Sequence, residues 1–296
     1  MSYLNSKTNK YLFVILLITS FFIAFIFYLL TNLNNSDKLL NRLENALTTT
    51  KNLFEEQKRY ALSLSILLSE DKELIESFIK NNREATFEIV NKKIDTLKQL
   101  QNSNFEVQIH NINLTTYLRS WDLSIKDIPL ESFRQGLVKV KESKKPLVSI
   151  ELGKRLNIKA ISPLIKDEKF IGSLETIIDF KYLSNELKQK GYKLFVLLDK
   201  KYLNIATDLK NNETIANFVI VNDSSKIIFE NLDLKNLNDY GYVSNDKYSF
   251  AYFSYYDLNG NFLGYIFTAI ENKNHLNFNN SYDYETITST SKVQIK

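Results

Sequence analysis

The chain has 296 residues, of which 38 are basic and 34 acidic, and its net charge of +4 is spread along the sequence. Because it lacks the basic blocks typical of nucleic-acid-binding proteins, no nucleic-acid partner is predicted. It contains no cysteine, which excludes disulfides, thiol catalysis and cysteine metal sites, and which fits an oxidising compartment.

An apolar run occupies residues 11–31 and would form a helix about 32 Å long, enough to span a bilayer core. The alternative is a cleaved signal peptide, but the apolar core of such a peptide has about 7 to 15 residues and precedes a small-residue cleavage site. We therefore expect an uncleaved single-pass anchor in the cytoplasmic (inner) membrane. Lys7 and Lys10 precede the run and place residues 1–10 in the cytoplasm, so the rest would lie in the periplasm or outside the cell.

Residues 32–102 are predicted to form a long helical stalk, because no Pro or Gly interrupts them and apolar residues recur every three or four positions. The stalk could pack on its own domain, or it could pair with a second copy in a homodimer, since its leucines have heptad-like spacing. The apolar positions are Leu40, Leu43, Leu47, Phe54, Leu64, Leu68, Ile75 and Ile79.

From residue 103 to 190 the apolar period changes toward two, which predicts strands of an antiparallel sheet. The expected strands are FEVQIHNI, LVSIELG, LNIKAISPLI and FIGSLETIIDF, with one helix before Pro146. The last two strands are predicted to form a hairpin around the polar turn Lys166-Asp167-Glu168-Lys169.

A second, smaller module is predicted over residues 191–272, after a helix in KYLSNELKQKG. Its expected strands are YKLFVLLDKKYL, NFVIVND, SKIIFENL and a hairpin that turns at Asn259-Gly260. Phe170-Ile171-Gly172 and Phe262-Leu263-Gly264 occupy matching places in the two hairpins and suggest a duplicated unit. The tail at 273–296 lacks periodicity and is expected to be poorly ordered.

The stretch from Val107 to Phe180 resembles the double Cache domains, the extracytoplasmic sensors of bacterial chemoreceptors, diguanylate cyclases and histidine kinases. The resemblance rests on the order and spacing of the residues His110, Leu118-Arg119, Trp121, Ser132-Phe133-Arg134, Lys145-Pro146, Ile150-Glu151, Gly153, Pro163 and Gly172-Ser173-Leu174-Glu175.

The resemblance implies an α+β fold in which two PAS-like, antiparallel-sheet Cache modules follow the transmembrane helix and the long stalk helix. It also implies a membrane-distal, ligand-binding module at 103–190 and a membrane-proximal module at 191–272. Family receptors usually continue into a second membrane helix and a cytoplasmic output domain, and this sequence shows neither. We therefore expect the signal to pass to a separate membrane signalling protein.

Cations near the family-like segment suggest a site for a small anionic or zwitterionic ligand, because several of them around one pocket would hold a carboxylate. These cations are Arg119, Arg134, Lys154 and Lys159. The alternative is that Arg119 and Arg134 form structural ion pairs with Glu131, Glu151 or Glu175. Glu151 is also one of the candidate ligand-binding residues.

Tyr117, Trp121 and Phe133 could form walls of this site, although aromatic residues at such spacings are more often core. Strand alternation places His110 with Gln108 and Glu106, off the apolar face, where His110 could contact the ligand. No metal or cofactor is predicted, because the other histidine, His275, lies far away in the tail.

The sequence therefore predicts a membrane-anchored small-molecule sensor that takes part in signal transduction such as chemotaxis. A ligand-free envelope scaffold with a Cache-like fold is the alternative. An enzyme is not expected, because no Ser-His-Asp set, Gly-rich phosphate loop or nucleophile elbow is present.

Overall fold

The computed structural model describes residues 2–101, 105–222 and 226–272, which form helices and two antiparallel sheets. The chain divides into two compact units, Met1–Asn45 and Ala46–Lys296. The predicted α+β fold class, with an apolar N-terminal helix, a long stalk helix and two sheets, is confirmed. The expected poorly ordered tail at 273–296 and His275 lie outside the described residues.

Helix α1 begins at Ser2 and ends at Ser69, so it contributes to both units. Its segment Tyr11–Thr31 has a mean hydropathy of 2.8, and none of it is buried. The hydroxyls of Thr19 and Thr31 donate to backbone carbonyls one turn earlier, which satisfies these polar groups within an apolar segment. By length and composition the segment is able to cross a membrane.

The region predicted as one stalk helix is helical, but it consists of three helices. After α1, helix α2 spans Lys72–Ile79 and helix α3 spans Arg83–Gln101. The carboxylate of Asp71 caps α2 by accepting a hydrogen bond of 2.9 Å from Leu74 N, and Asn81 leaves the helix with a left-handed φ of 52°. The stalk prediction was wrong at these two breaks because neither uses Pro or Gly.

The first sheet has the strand order β2-β1-β5-β4-β3 and is antiparallel throughout. Helix α4, Gln135–Ser143, connects β2 to β3. The predicted β4–β5 hairpin is confirmed, and Asp167 and Glu168 both have positive φ, as a two-residue hairpin turn requires. The strands are β1 Phe105–Asn111, β2 Thr116–Arg119, β3 Leu147–Leu152, β4 Leu156–Lys166 and β5 Lys169–Ile178.

Helix α1 covers one face of this sheet. Ser65 and Ser162 share a hydrogen bond of 2.8 Å between their hydroxyls, and Thr176 Oγ1 donates to the carbonyl of Ala61 at 2.8 Å. The strand residues that point to the same side are buried and mostly apolar, and they form one core with the helix. Pleating sends every second residue to the opposite face, where α4 lies.

Helix α5, Lys181–Gln189, leads into a second sheet with the order β7-β8-β6-β11-β10-β9. The predicted hairpin at Asn259-Gly260 is confirmed as the β10–β11 connection. The strands are β6 Lys193–Asp199, β7 Thr214–Ile215, β8 Phe218–Ile220, β9 Tyr240–Ser244, β10 Tyr248–Tyr256 and β11 Phe262–Glu271. Short 3₁₀ turns lie at Lys200–Tyr202, Thr207–Leu209 and Lys226–Phe229.

The segment SKIIFENL was predicted as a strand, and this prediction was wrong. Its carbonyls at Ile228 and Glu230 accept hydrogen bonds from the side-chain amide of Asn245 instead of from a neighbouring strand. Ile228 and Phe229 are buried in the aromatic core of the second sheet. The apolar residues of this segment thus fill the core from a 3₁₀ turn and not from a strand. Strand propensity alone cannot distinguish these two cases, because both use apolar, β-branched and aromatic residues.

The structure explains the two matching glycines. A Cβ on Gly172 would come too close to the carbonyl oxygen of His110 in β1, and a Cβ on Gly264 would do the same to that of Leu197 in β6. In each hairpin the second strand therefore needs a glycine where it passes the backbone of its neighbour.

We predict that Gly264→Ala lowers the free energy of unfolding by about 1–3 kcal/mol, because the backbone of β6 must move to admit a methyl group. Urea denaturation of the full chain measures this. Gly191→Asn is the matched control, since Gly191 has a positive φ of 81° in open space, where Asn is tolerated. Equal midpoints for Gly264→Ala and the unmodified chain would contradict the prediction.

Candidate functional site

The face of the first sheet beneath α4 is polar although it is buried. Gln108, Arg119 and Glu175 lie side by side on β1, β2 and β5, because Gln108 pairs with Arg119 on one side and with Glu175 on the other. The next rows of the same face contain Lys159 with Ser149, and His110 with Ser173. We call this group the polar cluster: His110, Arg119, Arg134, Glu151, Lys159 and Glu175.

Arg134 joins the two carboxylates of the polar cluster. It precedes α4, its guanidinium donates through Nη2 to Glu175, and its Nε lies 3.3 Å from Glu151 Oε2. Burial disfavours the charge on Arg134, but the two carboxylates outweigh this cost and raise the pKa of the guanidinium. The structural ion pairs that the sequence offered as the alternative role of Arg134 are therefore present, one with Glu151 and one with Glu175.

Glu151 has two further neighbours. Its Oε1 accepts a hydrogen bond of 2.7 Å from the hydroxyl of Ser149. Its side chain also fills the space where Gly136, in the first turn of α4, would carry a Cβ. Glycine at this position therefore lets α4 approach the carboxylate, and it fixes the depth at which the helix covers the polar cluster.

Lys159 and Arg119 have neutral hydrogen-bond partners. Lys159 Nζ donates to the carbonyl of Leu152 at 3.2 Å, and Arg119 Nε donates to Gln108 Oε1 at 3.2 Å. Burial and the nearby Arg134 lower the pKa of Lys159 to about 8, although Glu175 and Glu151 act in the opposite direction. Among the described residues, no carboxylate forms an ion pair with either cation.

His110 is completely buried at the end of β1. Its Nδ1 lies 3.1 Å from the hydroxyl of Ser173, and its Nε2 lies 3.7 Å from Glu175 Oε2. Burial, with the positive charges of Arg134, Lys159 and Arg119, holds the pKa of His110 well below its usual value. The imidazole is therefore neutral at physiological pH.

The charges of the polar cluster do not cancel. Arg119, Arg134 and Lys159 are cations, whereas Glu151 and Glu175 are the two anions, so three positive charges face two negative ones. The four buried charges, on Arg134, Lys159, Glu151 and Glu175, balance one another, so the excess charge is that of Arg119, which is half-buried. The arrangement can therefore accept a negative group beside Arg119.

The other predicted site residues lie outside the polar cluster. Trp121 is 42% exposed and lies with its ring centroid 5.5 Å from the guanidinium carbon of Arg119, and Phe133 is 39% exposed. Tyr117 is buried in the core on the α1 side, where its ring contacts that of Phe78 at 4.7 Å. Lys154 is exposed, and its backbone carbonyl accepts a hydrogen bond from Asp208 N in the second module.

Sequence reasoning did not place Glu175, Gln108 or Ser173 among the binding residues. Glu175 and Ser173 are two residues apart on β5, and Gln108 alternates with apolar residues on β1. The available signal was therefore the period-two pattern of polar residues in strands that are otherwise apolar.

A cleft of about 190 Å³ adjoins the polar cluster on the same face of the sheet. Glu106 pairs with Ile177 across β1 and β5, one row beyond Gln108 and Glu175. The ion pair between Arg155 Nη2 and Glu106 Oε2, 2.7 Å long, lies in the lining of the cleft. The lining residues are Lys98, Phe105, Glu106, Arg155, Asn157, Ile177 and Asp179.

The family model described as the double sensory domain of two-component sensor kinases, dCache_3, matches residues 36–215. This range covers 180 of the 296 residues, more than half of the chain. The chain belongs to this family. The predicted resemblance to double Cache sensors is thereby confirmed, and no curated protein matches the chain.

Solved structures of similar double Cache domains share little sequence with this chain. The sensor domain of the V. cholerae histidine kinase DctB is 13% identical, with a TM-score of 0.48, over 80% of this chain and 99% of that one. The ligand-binding domain of the Campylobacter jejuni chemoreceptor Tlp3, solved with L-valine, is 15% identical, with a TM-score of 0.46, over 80% and 93%.

We predict that Arg134→Met lowers the free energy of unfolding by about 3–5 kcal/mol, because it leaves Glu151 and Glu175 buried without their counter-charge. Chemical denaturation of the full chain measures the loss. Arg155→Met is the matched control, since it breaks the more exposed ion pair with Glu106 and should cost no more than about 1 kcal/mol. Equal losses in the two variants would contradict the prediction.

The lowered pKa of Lys159 leads us to predict that the free energy of unfolding depends on pH. Its pKa is about 8 in the folded chain and 10.5 in the unfolded chain, so between these values the unfolded chain binds more protons. The free energy of unfolding should therefore rise by up to about 3 kcal/mol through this window, relative to the variant Lys159→Met. Urea denaturation of both proteins from pH 7 to 10.5 tests this, and a constant difference between them would contradict it.

Proposed function

We propose that the chain is a membrane-anchored, extracytoplasmic sensor whose first module binds a small ligand with a negatively charged group. Residues 103–190 form the membrane-distal binding module, and residues 191–272 form the membrane-proximal module. The single observation that carries the proposal concerns two cations, Arg119 and Lys159, in a polar cluster with excess positive charge. Within the described part of the chain, the hydrogen-bond partners of both are neutral.

A carboxylate beside Arg119 or Lys159 would supply the missing counter-charge. Both cations offer charge-assisted hydrogen bonds, which are stronger than the bonds they make to Gln108 and to the carbonyl of Leu152. Arg119 also has Trp121 beside it, which orients the guanidinium by cation–π contact. Binding of an anion would raise the pKa of Lys159, so affinity should decrease as the pH rises above about 8.

Ligand binding can bias α1 because β5 contacts both the polar cluster and the helix. Glu175 points to the cluster, whereas the next residue, Thr176, points to α1 and donates to Ala61 O. A ligand that changes the position of β5 would therefore favour one position of α1 over another. Signalling requires such a difference in affinity between two states.

A second contact connects α4 to the membrane-proximal module. Lys139 Nζ donates at 2.7 Å to the carbonyl of Leu258, in the turn between β10 and β11. Strand β11 in turn contacts α1, where the hydroxyls of Thr268 and Thr50 are 2.6 Å apart. Movement of α4 over the ligand would thus reach α1 through the second sheet as well.

The segment Tyr11–Thr31 is the proposed membrane anchor. Lys7 and Lys10 precede it and favour a cytoplasmic N-terminus, which leaves both modules outside the cytoplasm. We further propose that the signal passes to a separate membrane protein or to a second copy of the chain.

A ligand-free scaffold is the second candidate, because Arg134 already forms ion pairs with both carboxylates of the polar cluster. On that account the cluster only fixes the position of α4 on the sheet. The two candidates differ in Arg119, which forms no ion pair with any residue that the structure describes and which the scaffold does not need.

We predict that small carboxylates at a hundred times their dissociation constant stabilise the full chain in nanodiscs by about 2.7 kcal/mol, and that Arg119→Met abolishes this effect. Thermal unfolding against a panel of organic acids and amino acids measures it. Lys201→Met is the control that should keep the stabilisation, since Lys201 forms an exposed ion pair with Asp199 in the second module. If the unmodified chain responds to no compound on the panel, the scaffold is favoured.

A further inference from the structure

The cleft beside the polar cluster reaches as far as the strand neighbours of Lys159. Its lining includes Asn157 of β4 and Ile177 of β5. Asn157 is two residues from Lys159 on the same face of β4, and Ile177 is the partner of Lys159 in the pairing of β4 with β5. Lys159 itself is only 4% exposed. The inner end of the cleft therefore lies next to this buried cation.

The inner end of the cleft can hold a polar solute. Asn157 is 6% exposed, and its side-chain amide forms no hydrogen bond with another described residue. A buried amide needs hydrogen-bond partners, so we expect water or a solute in the cleft to supply them. A small polar molecule in the cleft would therefore find hydrogen bonds beside Lys159.

An ion pair crosses the polar face at this cleft. Arg155 immediately precedes β4 and Glu106 lies on β1, and the order of the sheet places β5 between these two strands. The contact of 2.7 Å between Arg155 Nη2 and Glu106 Oε2 therefore passes over β5, where Ile177 lines the cleft. Glu106, Ile177 and Lys159 pair in one row of the sheet, so the ion pair lies beside the row that contains Lys159.

The ion pair is easier to move than the turn that carries it. Gly153 N donates to Arg155 O at 3.0 Å, and Asp208 N of the second module donates to Lys154 O at 3.0 Å, so the backbone of the turn is held from two sides. By contrast, the side chains of Arg155 and Glu106 are 45% and 31% exposed. An ion pair with this exposure contributes little free energy and is screened by salt, so it breaks readily.

We propose that the cleft is the entrance to Lys159 and that the ion pair between Arg155 and Glu106 is its gate. When the pair is formed, it covers the end of the polar face. When the guanidinium turns out to solvent, a small solute can pass Asn157 and reach the ammonium group. The inference goes beyond the proposed function, because it concerns access to a buried cation and does not depend on which ligand uses the entrance.

Amine labelling of the full chain in nanodiscs tests the gate without a ligand. A short pulse of acetic anhydride at pH 8 is followed by peptide mass spectrometry, which compares acetylation at Lys159 with acetylation at Lys154, an exposed lysine on the adjoining turn. The pKa of Lys159, about 8, makes its amine reactive at this pH. We expect Arg155→Met and Glu106→Gln each to raise this ratio about two- to fivefold, the range that corresponds to breaking an exposed ion pair. The control Lys201→Met should leave the ratio unchanged.

A change in the basicity of the amine cannot imitate the expected result. The charge of Arg155 lowers the pKa of Lys159, so its removal alone would raise that pKa and slow the acetylation. Higher salt should also raise the ratio in the unmodified chain, because it screens the ion pair, but not in Arg155→Met.

Both variants break the same ion pair, so if one of them does not fold, the other decides alone. A ratio that stays the same when the pair is broken would overturn the gate. A Lys159 that is acetylated in none of the proteins would overturn the entrance. Neither result involves a ligand, so the thermal-unfolding panel still decides separately whether the chain binds a small anion.

Discussion

One face of helix α1 must pack against both sheets, and this constraint organises the domain. Small residues allow close approach at three places: Thr50 meets Thr268 of the second sheet, Ala61 meets Thr176 of the first, and Ser65 meets Ser162. Between these contacts Phe54 packs against Phe180 and Phe253, one from each module. Because the helix is shared, a shift of either sheet changes the packing of the other.

The pleat of the first sheet gives its two faces different compositions, one for packing against α1 and one for the polar cluster. Alternate residues of β1, β4 and β5 give the helix an apolar surface, and the residues between them form the polar cluster beneath α4. A purely apolar second face would be more stable, since buried ion pairs rarely compensate fully for their loss of hydration. Retaining a charged and incompletely satisfied face is consistent with binding, for which some stability is given up.

The second sheet differs from the first because it has no polar cluster among its described residues. Its corresponding face is filled by aromatic rings, among them Phe229, which lies 5.0 to 5.5 Å from Phe195, Phe250 and Phe267. The hairpins of the two modules share a glycine that passes a neighbouring backbone, but among the described residues only the first module has buried charges. The first sheet thus has a polar face and the second an apolar one, and this supports assigning the ligand to the first module.

Much of this arrangement could be predicted from the sequence. The two hairpins follow from polar turns between alternating strands, and His110 falls on the polar face by strand alternation alone. Arg134 is different, because it lies in a loop and reaches Glu151 and Glu175 only through the path of the chain into α4. Local pattern could not separate Tyr117, which points to the α1 side, from Arg119, since a register shift in the β1–β2 pairing lies between them.

The central claim is that Arg119 and Lys159 form a site for a small anion. Native mass spectrometry of the full chain, released from nanodiscs after incubation with a pool of small carboxylates and amino acids, tests it most directly. We expect an adduct of one small acid on the unmodified chain and on the control Lys201→Met, and none on a variant that combines Arg119→Met with Lys159→Met. An unmodified chain without any adduct, or an adduct that survives in the double variant, would contradict the account.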